Sequence, residues 1–239
     1  MKTIKTFTLL FFAAVLFCGT SLQAASVIGG RQVRQISGFH GITVSSGIDL
    51  QLTQKNVEEV SVEANSDDLD KIITKVEDGI LKIYVKDKSW SGLNWNSKSR
   101  KVFVSFKTLD QLEASAGSDV SSQSVLKLDK LNLHVSSGSD VKLDLDANEL
   151  SVDSSSGSDV ALTGKATSFH AAASSGSDID AEELVSKKCI ANVSSGSDIK
   201  VNVTDELDAN ASSGSDIVYS GNPKMKNIRE SSGGDVTKK

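Results

Sequence analysis

The feature that most constrains this chain is a short motif that recurs at nearly constant intervals up to the C-terminus. Its core is Ser-Ser-Gly-Ser-Asp followed by valine or isoleucine, with altered copies at residues 115–120 and 231–236. Successive motif glycines are 18 to 21 residues apart. A period of about 20 residues with a constant turn is typical of a solenoid, in which each coil buries its apolar face only by stacking on its neighbours.

The residues around the motif predict strands. Positions three and five before the glycine are mostly apolar, as at Val135 and Leu133, and the position three after it is always valine or isoleucine, as at Val141. This alternation is the period of a strand with one buried face. We expect two short strands per coil, joined by the glycine turn and closed by a more variable polar segment. The glycine is expected because the corner needs a positive φ or leaves no room for a Cβ.

The N-terminal part has a different character. Residues 42–52 are a degenerate copy of the motif and predict either the first coil or a strand that covers its end. Alternating residues predict strands at 60–64, 80–85 and 101–106, and Asp78-Gly79 between two apolar runs predicts a hairpin. We expect these strands to form an antiparallel cap over the solenoid end, since an open end exposes unpaired backbone groups and apolar surface.

The first 25 residues predict export. Lys2 and Lys5 precede an apolar run and small residues, the order of a secretory signal peptide, and the run is too short to span a bilayer. A lipid anchor on Cys18 is not favoured, because bulky Phe17 occupies the position where a small residue is expected. The predicted organisation is a signal peptide at 1–25, a first coil with β cap at 26–111, and solenoid repeats of about 19–20 residues at 112–239.

Charge and cysteine content narrow the function classes. The net charge is −5 and becomes more negative without the leader, which argues against nucleic acid and against an anionic membrane surface. No later stretch is long and apolar enough to predict a transmembrane segment. Cys189 is the only cysteine after the leader, so no internal disulfide is expected. Its inward strand position predicts a buried, inert thiol.

Each motif copy contributes a glycine and, two residues later, an aspartate, and these residues are predicted to form a structural column at the turns. The column consists of Gly117, Gly138, Gly157, Gly176, Gly196, Gly214, Gly233, Asp119, Asp140, Asp159, Asp178, Asp198, Asp216 and Asp235. The first interpretation is that the aspartates and neighbouring serines accept hydrogen bonds from turn amides. The alternative is a column that binds Ca²⁺, although the nonapeptide calcium-roll pattern is absent. No cofactor and no metal site are otherwise predicted.

No catalytic residue is predicted. The serines recur as equivalents, whereas a nucleophilic serine needs its own base and orienting group, and His40, His134 and His170 belong to no recognisable motif. A glycosidase needs two carboxylates in unequal environments, but here the environments are alike. A polysaccharide-acting β-helix enzyme is kept as the alternative.

Two tryptophans offer a candidate ligand loop. Trp90 and Trp95 lie in a Gly/Asn/Ser-rich stretch between two predicted strands. They could stack on sugar rings or anchor a partner, or they could fold down over the solenoid end.

Three segments together resemble a known family. Residues 38–50, the hairpin at 78–83 and the Ala-Ser-Ala-Gly-Ser-Asp-Val stretch at 114–120 resemble the secreted bacterial family called putative autotransporter adhesin head (GIN) domains. The resemblance covers about residues 31–237. It implies a right-handed parallel β-helix with an N-terminal β cap in a cell-envelope protein, and it names no catalytic residue.

The sequence therefore predicts a non-enzymatic, adhesin-like binding or scaffolding module of the cell envelope. It would bind glycan or protein through a solenoid face or through the Trp90/Trp95 loop. Self-association through the C-terminal coil is a further expectation, because the edge of that coil has no evident cap. No membrane barrel follows the last turn, so we expect a periplasmic location, with the cell surface as second choice.

Overall fold

The computed structural model describes residues 26–28, 31–86 and 100–239. The predicted leader with Cys18, and the candidate loop with Trp90 and Trp95, lie outside the described residues. The described part is a single sheet of hydrogen-bonded strands with one short helical turn, α1 (Ser66–Leu69). None of its helical residues forms a segment long and apolar enough to cross a bilayer.

The first part of the chain contains only short strands, and the longest strands lie in the second part. The first ten are β1 (Ser26–Ile28), β2 (Arg31–Arg34), β3 (Gly41–Val44), β4 (Asp49–Gln54), β5 (Glu59–Glu63), β6 (Ile72–Glu77), β7 (Ile80–Val85), β8 (Lys101–Phe106), β9 (Gln111–Ala114) and β10 (Asp119–Ser122). The remaining eight are β11 (Leu126–Ser136), β12 (Asp140–Ser155), β13 (Asp159–Ser174), β14 (Asp178–Val193), β15 (Asp198–Ser212), β16 (Asp216–Gly221), β17 (Met225–Ser231) and β18 (Asp235–Lys238).

The strands stack as parallel coils, which confirms the predicted all-β solenoid. Strands β11 to β15 pair in sequence order, and β15 then pairs with both β16 and β17. The corner aspartates stack in register, with Asp140 opposite Asp159 and Asp159 opposite Asp178. Each interior coil therefore receives its axial hydrogen bonds from the coils on either side.

The N-terminal segment adds one more parallel coil to the solenoid and then a set of antiparallel strands. Strand β7 pairs in parallel with β3, and β8 pairs in parallel with β4, so β7 and β8 form a coil outside the one at residues 42–52. Antiparallel strands then flank this outer coil: β6 pairs with β7, β5 with β8, β2 with β5 and β1 with β2. The hairpin predicted at Asp78-Gly79 is confirmed by the register of Glu77 opposite Ile80.

The coils differ from the prediction of two short strands and a polar closing segment. Strands β12, β13 and β14 each run for 16 residues from one corner to the next. Burial alternates along β12 except at Asn148 and Glu149, which are both exposed and mark a second bend. The prediction was wrong because the polar segment also pairs with its equivalent in the next coil, which keeps the hydrogen-bond ladder nearly continuous.

Deviations in coil length are absorbed away from the corners. The coil from Gly176 to Gly196 is one residue longer than the coil before it and two longer than the coil after it, and the pairing of β14 with β15 shifts register between Ala181 and Val185. Gly164, in β13, has φ of 106°, and a Cβ there would overlap the carbonyl oxygen of Leu145. These local irregularities leave the corners aligned.

The core consists of columns of apolar side chains stacked along the axis. One column contains Leu131, Leu150, Phe169, Cys189 and Leu207 in register, all nearly inaccessible to solvent. Burial raises the pKa of the Cys189 thiol to about 12, so the thiolate is not populated at neutral pH. The prediction that this thiol is buried is confirmed, and its raised pKa agrees with an inert role.

Candidate functional site: the corner column and its two grooves

Each corner is made by two consecutive residues with positive φ. In one coil these are Ser137 at 59° and Gly138 at 67°, and the same pair of conformations recurs at every motif copy. A Cβ added at Gly157 would meet no atom within 4 Å. Glycine is therefore favoured at this corner by its backbone conformation and not by crowding, which decides between the two reasons offered by the sequence.

The corner peptides bond to each other along the axis. The amide of Gly138 donates to the carbonyl of Ser156 in the next coil at 3.1 Å, and the amide of Asp140 donates to the carbonyl of Ser118 in the preceding coil at 3.2 Å. The corner backbone is thus paired in both directions, which fixes the position of every side chain that the corner presents.

The serine that follows the glycine is a buried structural group. This column is fully buried and comprises Ser118, Ser139, Ser158, Ser177, Ser197 and Ser215. The hydroxyl of Ser177 bonds to the carbonyl of Ser154 at 2.8 Å and to that of Ser174 at 2.9 Å, and the amide of Ser177 donates to the Ser197 hydroxyl at 3.0 Å. These hydroxyls satisfy buried backbone groups and are closed to any substrate.

The aspartates form an exposed ladder that is longer than the sequence motif indicated. Asp49 stacks on Asp119, and Lys101 stacks on Asp49. We call the following set the aspartate ladder: Asp49, Asp119, Asp140, Asp159, Asp178, Asp198, Asp216 and Asp235. Asp49 was missed because Ile48 replaces the usual serine before it, although its position two residues after Gly47 was a usable signal.

Few hydrogen bonds compensate the ladder. Within the described residues, Asp178 accepts a backbone amide bond from Asp198 at 3.1 Å and Asp235 accepts from the Thr237 hydroxyl at 2.7 Å. The expectation that turn amides bond to both residue types therefore applies to the buried serines and, for the aspartates, to Asp178 and to Asp159, which is bonded by the Asp178 amide. The ladder is an array of largely free carboxylates.

Burial and repulsion between neighbouring carboxylates raise the pKa of two members of the ladder. Burial, followed by the charges of Asp49 and Asp140, raises the pKa of Asp119 above its ordinary value. Burial and the two neighbouring carboxylates raise the pKa of Asp159 in the same way. In the described ranges, no three His, Cys, Asp or Glu side chains are grouped as the ligands of one metal ion.

Two open grooves run along the solenoid on either side of the corners. The ladder groove has a volume of about 730 Å³ and is lined by the ladder members from Asp49 to Asp198 together with Lys101, Lys142 and Lys200. The serine–asparagine groove has a volume of about 380 Å³ and is lined by residues of the strands that precede the corners. Its polar residues are Glu113, His134, Ser136, Asp153, Ser154, Ser155, Ser174, Asn192, Ser194, Asn210 and Ser212.

The histidines do not form a catalytic constellation in the described residues. Nδ1 of His40 lies 2.8 Å from Asp110, beside the Asp78-Gly79 hairpin, and Nδ1 of His134 lies 3.3 Å from Asp153. Both pairs are about half exposed. They are surface ion pairs or hydrogen bonds of small energetic weight.

Arg34 has a structural role in the cap. Its guanidinium donates to the carbonyls of Leu69 at 2.8 Å and Ile72 at 2.5 Å and to the Thr74 hydroxyl at 3.0 Å. Burial lowers the pKa of Arg34, partly opposed by Asp70. These bonds hold β2 against α1 and β6.

The stacked parallel coils, the repeated polar faces and the open axial grooves define the class of this protein as a parallel β-solenoid. The sequence profile of the family described as "Putative auto-transporter adhesin, head GIN domain" matches residues 38–223, and the chain belongs to this family. The family resemblance seen in the sequence is thereby confirmed. No curated protein is significantly similar to the chain.

Solved structures share the fold at low sequence identity. A putative adhesin from Bacteroides fragilis NCTC 9343 superposes with a TM-score of 0.82 at 22% identity, covering 87% of this chain and 96% of that one. A structure described as a putative lipid binding protein from Parabacteroides distasonis ATCC 8503 gives 0.65 at 23% identity, covering 88% and 97%. A putative adhesin from the same P. distasonis strain gives 0.70 at 20%, covering 87% and 96%.

Proposed function

We propose that this protein is a non-enzymatic, adhesin-like binding or scaffolding module of the cell envelope that engages glycan or protein along an open solenoid face. One observation carries the proposal: the exposed polar groups of the corners repeat in register through consecutive coils. A repeated array suits an extended partner that makes the same contact many times. Membership of an adhesin-head family supports the same reading.

The repetition also argues against catalysis. Hydrolysis of a glycosidic bond needs one acid and one base or nucleophile in different environments. In the aspartate ladder, Asp119 and Asp159 have raised pKa values for the same reasons, burial and neighbouring carboxylates. The residues stacked on either side of Asp119 and of Asp159 are again aspartates of the ladder.

The test is a glycan array run beside a reducing-sugar release assay on the mature protein. We expect binding without release of reducing ends. Product formation would instead establish the polysaccharide-acting enzyme that the sequence left open. An array without signal, followed by capture of an envelope protein, would assign the ligand to the protein class and still agree with the proposal.

The second candidate is a solenoid stabilised by calcium. The specific observation in its favour is the repulsion within the ladder, which a divalent cation between neighbouring carboxylates would relieve. Thermal melting with chelator and with millimolar calcium tests this. An increase in Tm with calcium, lost in Asp159→Asn, supports it, and an unchanged Tm removes it.

The Trp90/Trp95 loop remains a proposed second contact for the ligand. Its flanking strands, β7 and β8, belong to the outermost N-terminal coil. Changing both tryptophans to alanine is expected to weaken ligand binding without lowering Tm. A large fall in Tm with unchanged binding would show that they cover the solenoid end instead.

For location we propose export, with the periplasm first and the cell surface second. Fractionation of the native host, combined with protease treatment of intact cells, separates the two. Resistance of the protein in intact cells and release with the periplasmic fraction would support the first location.

A further inference from the structure

The serine–asparagine groove contains a second repeated array, distinct from the aspartate ladder. Its columns are the first motif serine, as in Ser155 and Ser174, and the residue two positions earlier, as in Asn192 and Asn210. These side chains are about half buried and line a groove that crosses at least five coils. Successive coils are about 4.8 Å apart, and the two columns are about 7 Å apart along each strand.

Ser154 and the His134–Asp153 pair bond within the protein, but the side chains of the two columns beyond them do not. No hydrogen bond joins the side chains of Ser155, Ser174, Ser194, Asn192 or Asn210 to another described residue. Asparagines on other faces of the coils are bonded, since a side-chain amide donates in each case to a carbonyl or carboxylate: Asn132, Asn148, Asn202 and Asn227. The groove therefore keeps a set of half-buried donors and acceptors available, whereas the fully buried serines of the corner column bond to the backbone.

The groove is also mostly uncharged. Its charged residues, Glu113 and Asp153 with His134 between them, lie at the end nearest β9. From Ala172 onward the lining side chains are serine, asparagine and small apolar residues. Serine and asparagine both donate and accept, so the fitting partner is neutral and carries many groups of both kinds.

A hydroxyl-rich chain satisfies these conditions better than a protein. Protein interfaces depend on buried aromatic, arginine or large aliphatic anchors, and no Phe, Tyr or Trp side chain of the described residues lines this groove. A peptide strand would use its backbone on a sheet edge, whereas the groove is a sheet face. Sugar hydroxyls donate and accept in the same way as the groove residues do.

We propose that the serine–asparagine groove binds a neutral linear glycan that lies along the solenoid axis with roughly one sugar unit per coil. The coil spacing of about 4.8 Å is close to the advance of an extended pyranose chain per unit. Without aromatic stacking, each unit binds weakly and affinity accumulates with chain length. This inference rests on the proposed function and assigns its site and ligand class.

The test is calorimetry with the full mature protein and neutral cello-, chito- and manno-oligosaccharides of two to six units. We expect affinity to rise with length for at least one series. The double variant Asn192→Ala/Asn210→Ala is expected to weaken the hexasaccharide at least tenfold, about one lost hydrogen bond's worth. Because these amides make no intramolecular bond, Tm should not change.

The matched control is Asp159→Asn/Asp178→Asn in the ladder groove, which should leave the affinity for a neutral hexasaccharide unchanged. If the neutral hexasaccharide still binds to Asn192→Ala/Asn210→Ala but not to Asp159→Asn/Asp178→Asn, the glycan lies in the ladder groove. That result would overturn the assignment of the serine–asparagine groove and preserve the proposed function. Binding confined to cationic chitosan oligomers, or to envelope proteins, would overturn the neutral-glycan class. Release of reducing ends would overturn the proposed function itself.

Discussion

The two ends of the solenoid differ in how their unpaired strand edges are protected. At the N-terminal end, the outer coil of β7 and β8 is flanked by antiparallel strands, and residues such as Val60, Val62 and Phe106 are fully buried. At the C-terminal end, β17 and β18 have no further coil above them in the described residues, and every residue of β17 is exposed. One end is covered and the other is open.

The open end replaces core residues with charge. Lys226 stands in register with Leu207, Ile228 with Ala209 and Glu230 with Ala211. Glu230 accepts a hydrogen bond from the Val236 amide at 2.9 Å, and the Lys226 ammonium lies 5.8 Å from the Tyr219 ring. Inward-pointing charges at a sheet edge discourage pairing with another chain. The comparison teaches that charged side chains can protect a strand edge that no further strands cover.

The largest contrast is expected in packing energy. Phe106→Ala at the covered end should lower the free energy of unfolding by about 3–5 kcal/mol, because a fully buried ring leaves a cavity. Ile228→Ala at the open end, where the side chain is 39% exposed, should cost less than about 1 kcal/mol. Urea denaturation followed by circular dichroism measures both. Equal losses would contradict the distinction between the ends.

The buried serine of an interior corner should contribute more to stability than the groove-facing serine of the same corner. Ser177→Ala removes a buried hydroxyl that bonds to two carbonyls, and should cost about 1–3 kcal/mol. Ser174→Ala, whose hydroxyl has no partner in the described residues, is the control and should change stability by less than about 0.5 kcal/mol. In the last corner, Gly234 occupies the position of the buried serine. A loss of similar size in both variants would show that the hydroxyl is not the cause.

Restoring an apolar column at the open end should promote self-association. The double variant Lys226→Leu/Glu230→Leu extends the core columns to the edge and removes both charges. We expect association at least tenfold tighter than in the natural protein, about 1.4 kcal/mol, measured by light scattering over a concentration series. Lys165→Leu, on the side of a middle coil, is the control. A mass by light scattering that equals that of the natural protein at every concentration would mean that these charges do not prevent edge pairing.

The smallest effect is expected from the ladder, whose interior and end members differ. The raised pKa of Asp159 means that the folded protein holds more protons than the unfolded chain just above the ordinary carboxyl pKa. The free energy of unfolding therefore falls as pH rises through this range. Asp159→Asn should raise stability at pH 7 by less than about 1 kcal/mol, since solvent screens an exposed group.

Asp235→Asn provides the matched comparison, because this residue has one ladder neighbour and Asp159 has two. Its effect should be smaller still, and both effects should shrink in molar salt. Melting curves at about pH 3 and pH 7 check the sign. A stabilisation that is greater at pH 3 than at pH 7 would contradict the repulsion argument.

The sequence predicted the stacking but not the way in which the chain closes its coils. The recurrence of the motif at Gly138 and Gly157 was enough to predict that their corners stack in register. Only one register aligns both the turns and the apolar positions. The outer coil of β7 and β8 was predicted only as part of a cap, since no corner motif lies between these strands. The segment that closes each coil was predicted only as a variable polar stretch, because pairing such as that of Asp146 with Lys165 leaves no hydrophobic signal in the sequence.

The same limit applies to the site. Ser174 precedes the two corner residues with positive φ, and Ser177 follows them. Both are serines, so the sequence alone does not indicate that Ser177 is buried while Ser174 faces a groove. That distinction depends on which side of the left-handed corner turns inward. The free hydroxyls and amides of the second groove were therefore invisible until the corners were placed in three dimensions.

Pairing only between adjacent coils has a consequence for how such a molecule can vary. A whole coil of the kind bounded by Gly157 and Gly176 meets the coil before it and the coil after it through equivalent bonds. Duplicating or deleting one such unit would join surfaces that already match. The reach of the molecule can thus be lengthened or shortened in steps of about 4.8 Å without redesigning either terminus.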